Sequence, residues 1–366
     1  MHNEATKNII EIILQEGPIP FDKFMQEALY NTKYGYYMST KDKIGASGDF
    51  ITAPEISPMF GACIAAQIDD YINKNTSDIE ILELGPGNGT LALSILTNLK
   101  QKDACIKYNM LELSPSLKQQ QLITNAQYVD KIKHLDSLPE NFNGIIIANE
   151  VIDAMPVSRF TIGKHLQEEF IDYCNNELTF KNINSNNKDL IAQVSAIDTL
   201  MPPGYSSEIN LALPSWINSI SNCLSKGLVL LIDYGYNQSE YYHVERHGGT
   251  LKCFYKMKAH NNPLVNIGKQ DITAHVDFTS AALSAQKYGL DIVGYAEQAH
   301  FLFNLGLIDI AQMSYEKHPL DTAKELKLLT MPSEMGSLCK VLGLTKNVSQ
   351  PELAGFYNYN KVESLF

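Results

Sequence analysis

The stretch Ile79-Glu80-Ile81-Leu82-Glu83-Leu84-Gly85-Pro86-Gly87-Asn88-Gly89-Thr90 decides the fold. Its apolar run reads as a strand, the three glycines as a tight turn, and Thr90–Leu99 as the helix that the turn opens. Gly85 permits a sharp exit from the strand, Gly87 lets the backbone approach a ligand, and Gly89 lets the helix pack close to the sheet. The same alternation continues outward. Tyr108–Leu113 reads as a second strand closed by Glu112, Ser116–Thr124 as a second helix, and Gly144–Asn149 and Gly227–Asp233 as apolar strands buried on both faces. Leu290–Glu297 and Ser337–Leu344 supply two final strands with helices between them. Strands separated by helices predict a doubly wound α/β sheet.

A turn of this kind presents free N–H groups at a helix N-terminus. Its GxGxG spacing departs from the GxGxxG of dinucleotide sites and is closer to that of nucleoside-binding methyltransferases. Glu112 is placed to accept both hydroxyls of a ribose, a role that suits NAD or S-adenosylmethionine. Asp136, before the next strand, is a candidate for the adenine amino group, with a surface turn as the competing reading. Asn149 ends an apolar strand, and Glu150 and Asp153 follow on the edge where open sheets bind ligands. The alternative for this segment is a helix capped by Asn149 with both acids in its first turn. A guanidinium nucleophile is not deprotonated in advance, so paired carboxylates would grip its N–H groups and hold charge away from the attacking nitrogen. Glu150, Asp153, Glu55 and Glu208 are the candidates for that grip.

The 366 residues suit one enlarged α/β domain or two domains, with 45% hydrophobic and 19% charged residues. Helices are expected over 5–16, 21–30 and 58–73, and the boundaries are drawn at 1–75 for a helical extension and 76–366 for the sheet domain. Insertions fall at about 161–225, read as a hairpin at the sheet edge, and at 235–276. A net charge of -12 argues against general nucleic-acid binding. The six scattered cysteines (Cys63, Cys105, Cys174, Cys223, Cys253, Cys339) read as reduced thiols. No apolar run is long enough to span a membrane, and the start at Met1-His2 has no basic or apolar leader, which points to a cytoplasmic, bacterial-type protein. His243 and His247 lack a carboxylate partner pattern, so no metal is expected. Oligomeric state is not legible.

Together the blocks Tyr34-Gly35-Tyr36-Tyr37, Gly48-Asp49-Phe50-Ile51-Thr52-Ala53-Pro54-Glu55, Glu83 to Thr90, Asn149-Glu150 through Asp153-Ala154-Met155-Pro156, Asp233-Tyr234-Gly235, Gly249-Thr250-Leu251 and Asp271-Ile272-Thr273-Ala274-His275 make the chain resemble the MidA-type methyltransferases, also known as complex I assembly factor 7. The resemblance spans almost the whole chain. It implies a seven-stranded, Rossmann-like class I methyltransferase fold with an N-terminal helical extension and inserted substrate-side segments, and S-adenosylmethionine as donor. It further implies symmetric dimethylation of an arginine on a protein, a complex I subunit in the mitochondrial members. Gly85, Gly87 and Gly89 would hold the cofactor with Glu112 on its ribose, while 48–57 and 149–156 would surround the methyl. The chain departs from its relatives at Lys252–Lys258, where lysines stand for arginines and lack the planar fork. A non-catalytic assembly factor and an NAD-binding oxidoreductase are the alternatives.

Overall fold

A computed structural model describes residues 3–39, 43, 45, 48–75, 80–99, 106–197 and 199–366. Met1, His2, Ile79 and Cys105 lie outside the described residues. The chain divides into two compact units, one of residues 51–152, 215–235 and 278–366, the other of 1–50, 153–214 and 236–277.

The first of these units carries the central sheet. Its strands are β1 (Glu80–Leu84), β2 (Lys107–Leu111), β3 (Ile132–Leu135), β4 (Phe142–Asn149), β5 (Leu224–Tyr236), β6 (Asp291–Glu297) and β7 (Cys339–Lys346). They run in the spatial order β6-β7-β5-β4-β1-β2-β3, parallel from β5 to β3, with β7 antiparallel to both β5 and β6. The seven-stranded α/β arrangement agrees with the expectation from sequence. The apolar runs of β4 and β5 are buried at successive residues, as two covered faces require. On one face Ile81, Ile145, Ile147, Leu228 and Leu230 pack with Met59, Phe60, Cys63 and Ile64 of helix Pro58–Asn75 and Leu91 and Ile95 of helix Thr90–Asn98. Two differences from the expected elements matter. Strand β2 ends at Leu111, so Glu112 lies just past it, and β3 was not anticipated because Lys133 and His134 break its apolar pattern.

Glu83 is buried in β1 and accepts from Tyr108 Oη at 2.7 Å. Burial first, then the charges of Glu112 and Glu55, pushes its pKa up from 4.5 to about 8. In that window the folded chain holds a proton that the unfolded chain has lost, so this group makes stability fall as pH rises from 4.5 towards 8. Glu83→Gln is therefore expected to flatten the decline of stability between pH 5 and pH 8. Urea melts at several pH values check this, and a wild-type slope in the variant would contradict it.

In the second unit, helix Glu4–Glu16 is capped by Asn3, which accepts from Thr6 N at 2.8 Å. Its Ile9 and Ile13 join Phe21, Phe24 and Leu29 of helix Phe21–Tyr30 in a core with Ile171, Cys253 and Ile272. The expected hairpin forms from Gln167–Cys174 and Glu177–Asn184, turning through Asn175 and Asn176 at φ 53° and 64°. It belongs to a separate five-stranded sheet with Ile19–Pro20, Ser158–Thr161 and Ser206–Ile209, not to the edge of the central sheet as expected. Residues 235–276, read as a connection, contain a three-stranded sheet of Lys252–Tyr255, Lys258–His260 and Asp271–Thr273.

Candidate functional site

Strands β1 and β4 are neighbours, with Leu84 opposite Ala148, so the glycine turn and Asn149-Glu150 leave the sheet side by side. This is the point where strand order reverses, the crevice in which open α/β sheets take ligands. Gly85, Gly87 and Gly89 all have left-handed φ values of 61°, 55° and 86°. Asn88 Oδ1 accepts from Thr90 N at 3.1 Å and Thr90 Oγ1 at 2.7 Å, fastening the start of the helix.

Glu112 is buried, and Ser114 N donates to its Oε1 at 2.8 Å. Its Oε2 accepts from Gln121 Nε2 at 3.1 Å, and the same nitrogen donates to Gly87 O at 2.7 Å. At the C-terminal cap of helix Pro115–Thr124, Asn125 Nδ2 donates to Gly89 O at 3.0 Å. Gln121 and Asn125 were missed from the sequence because they read as solvent-facing amides. Asp136, by contrast, is exposed and paired with Lys118 at 2.9 Å, and that contact lowers its pKa.

No helix forms after Asn149, so the capped-helix alternative does not hold. Glu150 instead adopts φ 52°, a left-handed conformation rare for a residue with a side chain. Its N–H donates to Ile232 O at 2.8 Å, and Ile152 N donates to Asp233 Oδ2 at 2.9 Å, so β5 holds the segment in place. Glu150 Oε1 accepts from Ala53 N and Asn149 Nδ2, both at 3.4 Å. Burial, then the charges of Asp233 and Glu55, raise its pKa well above the ordinary carboxylate range.

Glu55 closes a capping box with Thr52, accepting from Thr52 N at 3.2 Å and from its hydroxyl, and it also bonds to Asn88 of the glycine turn. Burial raises its pKa despite these bonds. Thr52-x-x-Glu55 has the spacing of a capping box. Glu55 and Glu150 thus stand close to each other and to the glycine turn.

Asp153 and Glu208 fall in the other compact unit. Asp153 is buried, and its carbonyl accepts from Ala274 N at 2.9 Å. Glu208 is fully buried, and its Oε1 takes Thr250 N, Thr250 Oγ1 at 2.5 Å and Tyr241 Oη at 3.3 Å. A Cβ on Gly249 would lie 1.9 Å from Glu208 Oε2, which explains a glycine there. Arg246 stacks over Tyr236 at 3.9 Å, and Tyr236 lies 5.3 Å from the His275 ring. His243 accepts from Glu245 N through Nδ1, a local cap.

The residues at the carboxyl ends of β1, β2 and β4 fit a nucleoside with an amino-acid tail. A buried carboxylate past β2 suits a diol, and the turn beside it carries three left-handed glycines that present no side chain. Comparison with known proteins agrees. A family model described as S-adenosyl-L-methionine-dependent methyltransferase matches residues 62–296. A Burkholderia thailandensis protein crystallised with S-adenosyl-homocysteine superposes with a TM-score of 0.93 at 30% identity, covering 99% of this chain and 96% of that one. The mitochondrial protein arginine methyltransferase NDUFAF7 homolog of Drosophila melanogaster is 31% identical over 95% of this chain and 86% of its own. The mouse protein arginine methyltransferase NDUFAF7 is 27% identical over 90% and 81%. The glycine crevice, the sheet order and these likenesses meet in one statement: the chain belongs to the S-adenosyl-L-methionine-dependent methyltransferase family.

Proposed function

We propose that this enzyme methylates arginine side chains of a protein, forming symmetric ω-N-dimethylarginine on a respiratory complex I-type subunit. The observation that carries the reading is Glu150, held at φ 52° at the end of β4 with Glu55 close by. The names of the fly and mouse relatives, both protein arginine methyltransferases, support the same acceptor.

Gly85, Gly87, Gly89, Glu112 and Asn149 are the residues proposed to hold the cofactor, with Asp136 as an exposed outer candidate. S-adenosylmethionine supplies a methyl already activated by its sulfonium. The task left to the chain is to orient a guanidinium nitrogen in line with that methyl. Glu150 and Glu55 would accept its N–H groups and localise positive charge on the nitrogens that do not react. Asp153 and Glu208, the other two candidates from the sequence, lie in the second unit. Among the described residues no helix is long and apolar enough to cross a membrane. Action in the cytoplasm is part of the proposal, whereas the named relatives are mitochondrial.

The test is mass spectrometry of arginine methylation in cells with and without the gene, followed by methylation of the affected protein with purified enzyme. Loss of a symmetric dimethylarginine that purified enzyme restores is the expected result. Assembly of the target complex that proceeds equally with a methylation-dead variant would favour a non-catalytic role. Cell fractionation checks the compartment.

A further inference from the structure

Helix Pro115–Thr124 inverts the usual order of burial. Leu122 and Ile123 are 43% and 70% exposed, while Gln121, the helix's buried side chain, is 0% exposed. Burying an amide needs partners on every polar atom. Gln121 Nε2 donates to Gly87 O at 2.7 Å and to Glu112 Oε2 at 3.1 Å. Both of those atoms are acceptors, so the amide orientation is fixed and its Oε1 must face His134 Nε2, 2.7 Å away. His134 then carries its proton on Nε2. Burial and the nearby Lys118 lower the pKa of His134, which keeps the ring neutral. Asn125, four residues on, is also fully buried and donates to both Gly89 O and Gln121 O at 3.0 Å. A side chain of the helix and one at its C-terminal cap therefore hold the Gly87 and Gly89 carbonyls of the turn.

We propose that Gln121 is a positioning residue for cofactor binding, its one amide nitrogen locking the glycine turn to the carboxylate that faces the ribose, with Asn125 steadying the same turn. It does not touch the cofactor. It sets the separation between the two parts that do, so binding encounters a preformed site and spends less on ordering it. The proposal rests on the reading of Gly85–Gly89 and Glu112 as the cofactor site.

Calorimetric titration of the purified full chain with S-adenosylhomocysteine tests it. Gln121→Met keeps the volume and loses the hydrogen bonds, and is expected to weaken binding about 10- to 100-fold, the range for bonds to a charged group. Gln121→Glu keeps the shape but presents a second carboxylate to Glu112, with the His134 ring also facing it and Lys118 acting on that ring. Its affinity should be low at pH 8 and approach that of the wild type as pH falls and the new carboxyl regains a donor proton. A purely structural role would not produce that recovery. Gln120→Ala, on the exposed side of the helix, should bind as wild type. Wild-type affinity in a folded Gln121→Met overturns the proposal. If Gln121→Met does not fold, a pH-independent Gln121→Glu affinity relative to wild type overturns it instead. Failure of the wild-type chain itself to bind S-adenosylhomocysteine would overturn the placement of the cofactor, a separable outcome.

Discussion

Gly89→Ala is expected to abolish measurable S-adenosylhomocysteine binding and to destabilise its unit by about 3 kcal/mol. For a unit of about 200 residues that is a fall in melting temperature of roughly 6–12 °C. Two effects add. Gly89 has φ 86°, where an L-residue costs roughly 1–2 kcal/mol. The added Cβ would also lie 2.6 Å from Asn125 Nδ2, 3.2 Å from Gln121 Cα and 3.3 Å from Gln121 Cγ. Gln121 Cα is backbone and cannot swing aside, so helix Pro115–Thr124 must retreat. That retreat breaks the bonds from Gln121 and Asn125 to the turn and draws Gln121 away from Glu112. Gly306→Ala separates the two effects. Gly306 has φ 83° with nothing within 4 Å of an added Cβ, so it carries the backbone cost alone and should leave binding intact. Calorimetric scans and titrations of both variants make the comparison. Equal behaviour of Gly89→Ala and Gly306→Ala would rule out the contact as the cause.

The features that fix the architecture were legible because each is local. The apolar runs of β4 and β5, the glycine turn and the helix after it announce themselves within a few residues. The polar supports were not legible, because they act across the fold. Gln121 looks like a surface residue in a helix whose apolar side chains point outward, and only its placement beside Gly87 and Glu112 reveals its task. Strand β3 is a half-exposed edge, and Lys133 and His134 erase its pattern. Glu208 illustrates a further limit. Nothing in its flanking sequence foretells burial against Thr250 and Tyr241, some 30 to 40 residues downstream. The conformation of Glu150 is likewise imposed from outside, by Ile232 O and the Asp233 carboxylate of β5. Sequence placed Glu150 at the end of β4 and could not supply its left-handed backbone.

Glu150→Gln is expected to lower kcat for methyl transfer by about 10²- to 10³-fold, the usual cost of removing one electrostatic contact to developing charge. The dissociation constant for S-adenosylhomocysteine should stay within about threefold of wild type, since a neutral amide of the same shape preserves the acceptor for Ala53 N. The backbone supports the specificity of this effect. A carboxylate held at φ 52° by two bonds to β5 is strained, and such strain persists where the surroundings demand that side chain in that place. A pH signature follows. In the free enzyme burial, Asp233 and Glu55 keep Glu150 protonated above the ordinary carboxylate range. An arriving guanidinium brings positive charge that favours the ionised form, so binding releases a proton until pH exceeds the raised pKa. KM for the proposed arginine substrate should therefore fall as pH rises towards that pKa, and the fall should be flatter in Glu150→Gln. Unchanged kcat in the variant, with normal substrate and donor binding, would remove Glu150 from the reaction. The acidic grip on the acceptor would then have to come from other carboxylates, with Glu55 tied into the capping box of Thr52 and bonded to Asn88.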